Sequence, residues 1–140
     1  MAARIVIADH QKKFRDFLKR TLQTPGSFFE VVGEAADGAN AVQLVETLKP
    51  DLVVMDLELP QTGGLQATHI IKSRAPQVKV LLLSSLKDPR WFKLAHDFGS
   101  DAYLSKSAPV AEIFAAVWQL AGTQHGNKQD PRFKGRRAAP

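Results

Sequence analysis

The 140 residues contain no cysteine. Disulfides, zinc thiolates and a cysteine nucleophile are thereby excluded, and a reducing compartment is allowed. Long apolar runs are also missing. Stretches such as Val80–Leu83 fall far short of the roughly 20 residues of a membrane-spanning helix. No positively charged start leads into an apolar segment with a small-residue cleavage site. No secretory leader and no membrane association are therefore expected, and a cytoplasmic location is. What is present is ordinary for a globular chain: 44% apolar and 24% charged residues, over a length that suits one domain.

The formal net charge of +5 is unevenly spread. Residues 1–121 carry 14 Lys/Arg against 13 Asp/Glu, while 122–140 carry Lys128, Arg132, Lys134, Arg136 and Arg137 against Asp130. The body is nearly neutral, which argues against direct nucleic-acid binding by it. The last stretch has almost no large apolar side chains to offset its ordering entropy, so 122–140 is expected to be a disordered basic tail or a linker stub. A second basic group, Lys12, Lys13, Arg15, Lys19 and Arg20, interleaves with Phe14, Phe17, Leu18 and Leu22 at helical spacing. That pattern describes an amphipathic helix with its apolar stripe inward.

Two patterns alternate along the body. Short β-rich runs occupy Arg4–Ala8, Phe29–Gly33, Asp51–Met55, Lys79–Leu83 and Ala102–Leu104. Helix-compatible stretches lie between and after them, at Lys12–Leu22, Ala39–Leu48, Leu65–Arg74, Pro89–Phe98 and Pro109–Leu120. This alternation implies an α/β fold, a mostly parallel five-stranded sheet with helices on both faces. The two central runs are continuously apolar, as strands covered on both sides should be. Punctuation agrees: Asp37-Gly38 opens one helix, Lys49-Pro50 closes it, Asp88 and Ser107 are cap candidates, and Gly99 suits a helix end.

Ligands of open parallel sheets sit beyond the carboxyl ends of the strands. There the sequence places Asp9 and His10, then Asp56 and Glu58, then Ser84 and Ser85, and finally Ser105 and Lys106. A strand-end carboxylate can attack phosphorus and form an acyl phosphate. Asp9 and Asp56, with the backbone carbonyl of Glu58, could hold Mg²⁺ to offset the charge of phosphoryl transfer. Lys106 would place a fixed positive charge on the phosphoryl oxygens. The Ser84 hydroxyl could turn toward the new phosphate, and Tyr103 is placed to re-pack in response.

The chain over 4–121 resembles the receiver domain of bacterial two-component response regulators. Pro50 to Pro60 with Gly63-Gly64-Leu65 is similar to that family's phosphoacceptor segment, Val80–Ser85 to its switch strand, and Gly99–Lys106 to its Tyr/Lys signature. The resemblance implies a flavodoxin-like doubly wound sheet of order 2-1-3-4-5. It also implies Asp56 as phosphoacceptor, Lys106 as phosphate contact, Ser84 and Tyr103 as switch pair, and Mg²⁺ on Asp9, Asp56 and the Glu58 carbonyl. Implied partners are a histidine kinase or phosphotransfer protein, a downstream protein target or a DNA-binding domain beyond this chain, and in some cases a second copy. Such a module is not a turnover enzyme beyond self-catalysed phosphotransfer and autodephosphorylation.

One departure stands out. The family carries two adjacent acids after the first strand, where this chain reads Ala8-Asp9. Taken in that register, Ala8 replaces the first acid and Asp9 is the direct metal ligand, so metal affinity is expected to be weakened. Glu58, two residues past the acceptor, would tune the lifetime of the phosphoryl group. His10 is read as a bystander, and His69, His96 and His125 as surface residues. Trp91, Phe92 and Trp118 are divided between core packing and a partner face. A degenerate receiver that binds partners without phosphorylation is the alternative. A haloacid-dehalogenase-type hydrolase is disfavoured, because Asp56-Leu57-Glu58 follows the third strand rather than the first.

Overall fold

The computed structural model describes residues 2–122. Their order is β1 (Ala3–Ala8), α1 (Lys12–Leu22), β2 (Phe29–Ala35), α2 (Gly38–Leu48), β3 (Leu52–Asp56), α3 (Gly64–Arg74), β4 (Lys79–Ser84), α4 (Arg90–Asp97), β5 (Ala102–Ser105) and α5 (Val110–Val117). A π-helical turn over Trp118–Gly122 follows α5. The five strands are all parallel and stand in the order β2-β1-β3-β4-β5, as expected.

The apolar runs explain the layering. Every residue of β3 is buried, as are five of the six residues of β4. Alternation then divides the side chains. Val6, Ala8, Val53 and Met55 join Ala41, Val45, Ala67 and Ile71 on the α2/α3/α4 side. Ile5, Ile7, Leu52 and Val54 join Leu18, Leu22, Ile113 and Trp118 on the α1/α5 side. Burial at about 25 cal/mol per Å² of apolar surface is what drives both layers together.

Local chemistry fixes the ends. Asp37 caps α2 by accepting from the Asn40 N–H at 2.8 Å. Lys49 ends α2 in the left-handed region at φ 50°. Gly99, at φ +104°, turns the chain after α4 where a side chain would be strained. Asp88 Oδ1 accepts from the Arg90 N–H at 2.9 Å where α4 begins.

Several expected boundaries move. β2 runs on to Ala35 because the register shifts between Ile5 and Val6. The shift leaves Val32 bulged out, and pairing resumes at Gly33, opposite Val6. Ser107 is not a cap: its hydroxyl pairs with Ser105 Oγ at 2.8 Å, and Pro109 flanks α5 without a side-chain bond. The last helix widens into the π-turn at Trp118, whose indole lies where a Cβ on Gly122 would come within 2.9 Å of it. The tail expected over 122–140 lies, apart from Gly122, outside the described residues. Among those residues no helix is long and apolar enough to cross a membrane.

The expected basic face of α1 is partly consumed within the molecule. Lys12 pairs with Asp16 at 2.8 Å, and Arg15 and Lys19 reach Glu34 at 3.0 and 3.4 Å. Trp118 is core, edge-on to Phe28 and Phe29 at 5.4 and 5.8 Å. Trp91 packs partly against the α2/α3/α4 layer, while Phe92 stays 62% exposed.

Candidate functional site

β1, β3 and β5 end on one rim, and their terminal residues converge there. Lys106 Nζ lies 2.7 Å from Asp9 Oδ2 and 3.3 Å from Asp56 Oδ2. Both carboxylates are buried, Asp56 completely, and the lysine side chain is only 13% exposed. The ammonium also sits 4.7 Å over the Phe14 ring of α1, a cation–π contact that steadies it. Two desolvated like charges are tolerable here because one cation bridges them.

Backbone donors orient the remaining carboxylate oxygens. Glu58 N–H donates to Asp56 Oδ1 at 2.9 Å, and Gln11 N–H to Asp9 Oδ1 at 2.8 Å. Asp9 therefore shapes the turn before α1, whose flanking residue is Gln11 rather than Asp9 itself. Asp56 Oδ1 is thus tied to the chain, and Oδ2 is the oxygen that faces the other functional groups.

One of those groups was read as a bystander. His10 Nδ1 lies 2.8 Å from Asp56 Oδ2 and 3.9 Å from Asp9 Oδ1. A carboxylate only accepts, so Nδ1 is the donor. Ala8, read as the replaced acid, is the last residue of β1, pairs with Ala35 and Met55, and packs with the α2/α3/α4 layer. The polar atoms of Asp9 and His10, the two residues that follow it, meet Asp56 and each other at the rim.

The other expected residues are nearby. Ser84 closes β4 fully buried, and its Oγ accepts from the Leu86 N–H at 2.9 Å, which leaves its own O–H free to donate. Glu58 is exposed and turned to the side, its Oε1 accepting from Ser85 Oγ at 2.8 Å. Tyr103 packs edge-on to Phe92 at 6.1 Å, and its buried hydroxyl has no partner among the described residues. The loop after β3 passes so close to α3 that a Cβ on Gly64 would lie 2.4 Å from the Asp56 carbonyl oxygen. Only glycine permits that approach, which holds the acceptor's backbone against the helix start.

Asp9, His10 and Asp56 each offer a ligand atom within 4.8 Å of the others. Mg²⁺ takes near-octahedral oxygen ligands at about 2.0–2.1 Å. Such an ion keeps several waters and needs only one or two carboxylates from the protein, so Asp9 and Asp56 fit it, with the imidazole of His10 beside them.

The comparisons with known proteins point one way. A family model described as the response regulator receiver domain matches residues 5–118. The transcriptional regulatory protein DegU of Brevibacillus brevis is 39% identical over 117 residues, covering 84% of this chain and 49% of DegU. The response regulator protein VraR of Staphylococcus epidermidis is 36% identical over 84% of this chain and 56% of its own. This chain thus spans about half the length of these curated relatives. Among solved structures, the NarL signal receiver domain from Mycobacterium tuberculosis superposes with a TM-score of 0.81 at 33% identity, covering 86% of this chain and 97% of that one.

Proposed function

Because the chain belongs to the response regulator receiver domain family, we propose that it accepts a phosphoryl group on Asp56 from a phosphohistidine of a kinase or phosphotransfer protein. The observation that carries the reading is the bridge from Lys106 to both Asp9 and Asp56 at 2.7 and 3.3 Å. In the transfer an Asp56 oxygen forms the new O–P bond as the donor's N–P bond breaks, and the departing imidazole takes up a proton. With Oδ1 held by the Glu58 N–H, Oδ2 is the attacking oxygen. His10 covers Oδ2 and must swing outward first, which its 45% exposure permits. Lys106 then meets the negative charge on the phosphoryl oxygens. No turnover of a diffusible substrate is implied: the phosphoryl group stays until the acyl phosphate hydrolyses.

The signal leaves through Ser84 and Tyr103. The free O–H of Ser84 can turn to a phosphoryl oxygen, and the unpartnered Tyr103 hydroxyl can move toward the space this opens. That would reorganise the face carrying Phe92, where a target protein or a second copy would dock. The matched half of DegU and VraR supports an output domain elsewhere in a longer protein, and with it a role in cytoplasmic transcription regulation.

A receiver that works without phosphate is the second reading, and the His10–Asp56 hydrogen bond favours it, since it closes over the attacking oxygen. Gel retardation on a phosphate-affinity matrix after acetyl phosphate treatment separates the two. Phosphoacceptance requires a retarded band in the wild type that Asp56→Ala lacks. Its absence with every divalent cation supplied leaves the phosphate-free reading.

A further inference from the structure

We propose that His10 controls the reaction at Asp56: its Nδ1–H resists formation of the acyl phosphate and shortens the life of the one that forms. The inference rests on Asp56 as phosphoacceptor and concerns what sets the two rates there. His10 Nδ1 donates to Asp56 Oδ2 at 2.8 Å, while Oδ1 is taken by the Glu58 N–H at 2.9 Å. The imidazole donor therefore sits on the oxygen that gains and later loses the bond to phosphorus. Lys106 lies 3.3 Å from the same oxygen but is shared with Asp9 at 2.7 Å. His10 is exposed where Asp56 is buried, so the ring can leave the oxygen and return to it.

Charge on Oδ2 decides the direction. That oxygen is anionic in the free carboxylate, partly charged in a loose transition state and nearly neutral once esterified. A hydrogen bond to it weakens in the same order, because charged acceptors make the stronger bonds. Nδ1–H thus stabilises the free acid more than the transition state, and the transition state more than the acyl phosphate. Acceptance slows and hydrolysis quickens. In hydrolysis water attacks phosphorus, the P–Oδ2 bond breaks, and its electron pair stays on Oδ2 as the carboxylate. The water's protons leave with the inorganic phosphate, and His10 keeps its own.

The test measures both rates on the full chain at saturating Mg²⁺. Acceptance from phosphoramidate, and loss after the donor is removed, are followed by phosphate-affinity gel retardation. His10→Ala should accept the group faster and lose it more slowly, the two factors multiplying to about tenfold or more, as a hydrogen bond to a carboxylate is worth. A contact of merely structural weight would not move the two rate constants in opposite directions. His10→Phe keeps a ring beside Oδ2 without a donor, so it should share the longer lifetime; a wild-type lifetime there would mean that the ring only covers the oxygen, and overturns the proposal. An adduct on Asp56 that forms in His10→Ala and not in the wild type supports it. Unchanged rates or a shorter lifetime in His10→Ala overturn it and leave Asp56 as the acceptor. No adduct in the wild type or in either variant overturns both readings together.

Discussion

Replacing Lys106 by methionine keeps a side chain of similar length and removes only the ammonium. At an effective dielectric of about 20, contacts of 2.7 and 3.3 Å correspond to gross attractions of about 6 and 5 kcal/mol. Desolvating the ammonium offsets much of that, and breaking a buried pair from one side costs about 3–5 kcal/mol. The low end applies here, because the lysine is 13% exposed and His10 remains beside both acids. Lys106→Met should therefore lose about 3 kcal/mol, or about 10 °C in Tm for a domain of this size. The converse change separates charge from packing. Asp56→Asn keeps an oxygen for the Glu58 N–H and leaves Lys106 paired with Asp9 alone, so it should be neutral or stabilising. Urea denaturation followed by tryptophan fluorescence measures both variants. Equal losses in the two, or a Lys106→Met within 0.5 kcal/mol of wild type, would refute the claim that one cation holds two buried carboxylates.

Other perturbations probe the surrounding structure. Ala8→Asp adds a second acid beside Asp9 at the end of β1 and should tighten Mg²⁺ binding in calorimetric titration; an unchanged affinity would count against the register that places Ala8 in the acid pair. Tyr103→Phe removes a buried hydroxyl that has no partner among the described residues and should stabilise the protein by about 1 kcal/mol in thermal melts; a loss would mean that the hydroxyl is bonded. Gly64→Ala should destabilise by about 1–3 kcal/mol, since its Cβ would meet the Asp56 carbonyl at 2.4 Å. The hydrogen bonds from Arg90 hold the Asp88 carboxyl below its ordinary 3.8. A depressed folded-state value means that this contribution is present above pH 3.8 and is lost as pH falls through the folded value. Arg90→Ala should raise the Asp88 carboxyl titration, followed by NMR, while leaving it below the ordinary value, because the backbone N–H at position 90 still donates.

Much of this was legible in the residues because it rests on periodicity and punctuation. Leu52–Met55 and Val80–Leu83 are buried on both faces and read as central strands. Asp37, Lys49-Pro50 and Gly99 mark helix ends through backbone rules that act locally. Asp9, Asp56 and Lys106 were recoverable because strand ends in a parallel sheet share a rim. What the residues alone did not carry depended on contacts distant in sequence. The His10–Asp56 hydrogen bond joins residues 46 positions apart, which only the fold brings together. The bulge at Val32 and the π-turn at Trp118 come from packing of β2 on β1 and of the indole on Phe28 and Phe29, and neither has a short sequence signal.

The most direct test of phosphoryl acceptance is to locate the group. The purified chain would be treated with phosphoramidate in the presence of Mg²⁺, Mn²⁺ or Zn²⁺ in turn, and intact mass followed by peptide mapping would find the modified residue. A single base-labile, hydroxylamine-sensitive phosphoryl group on Asp56, absent from Asp56→Asn, is the expected result. A wild type that stays unmodified under every condition, or a phosphoryl group that maps to His10 and persists in Asp56→Asn, would contradict the account.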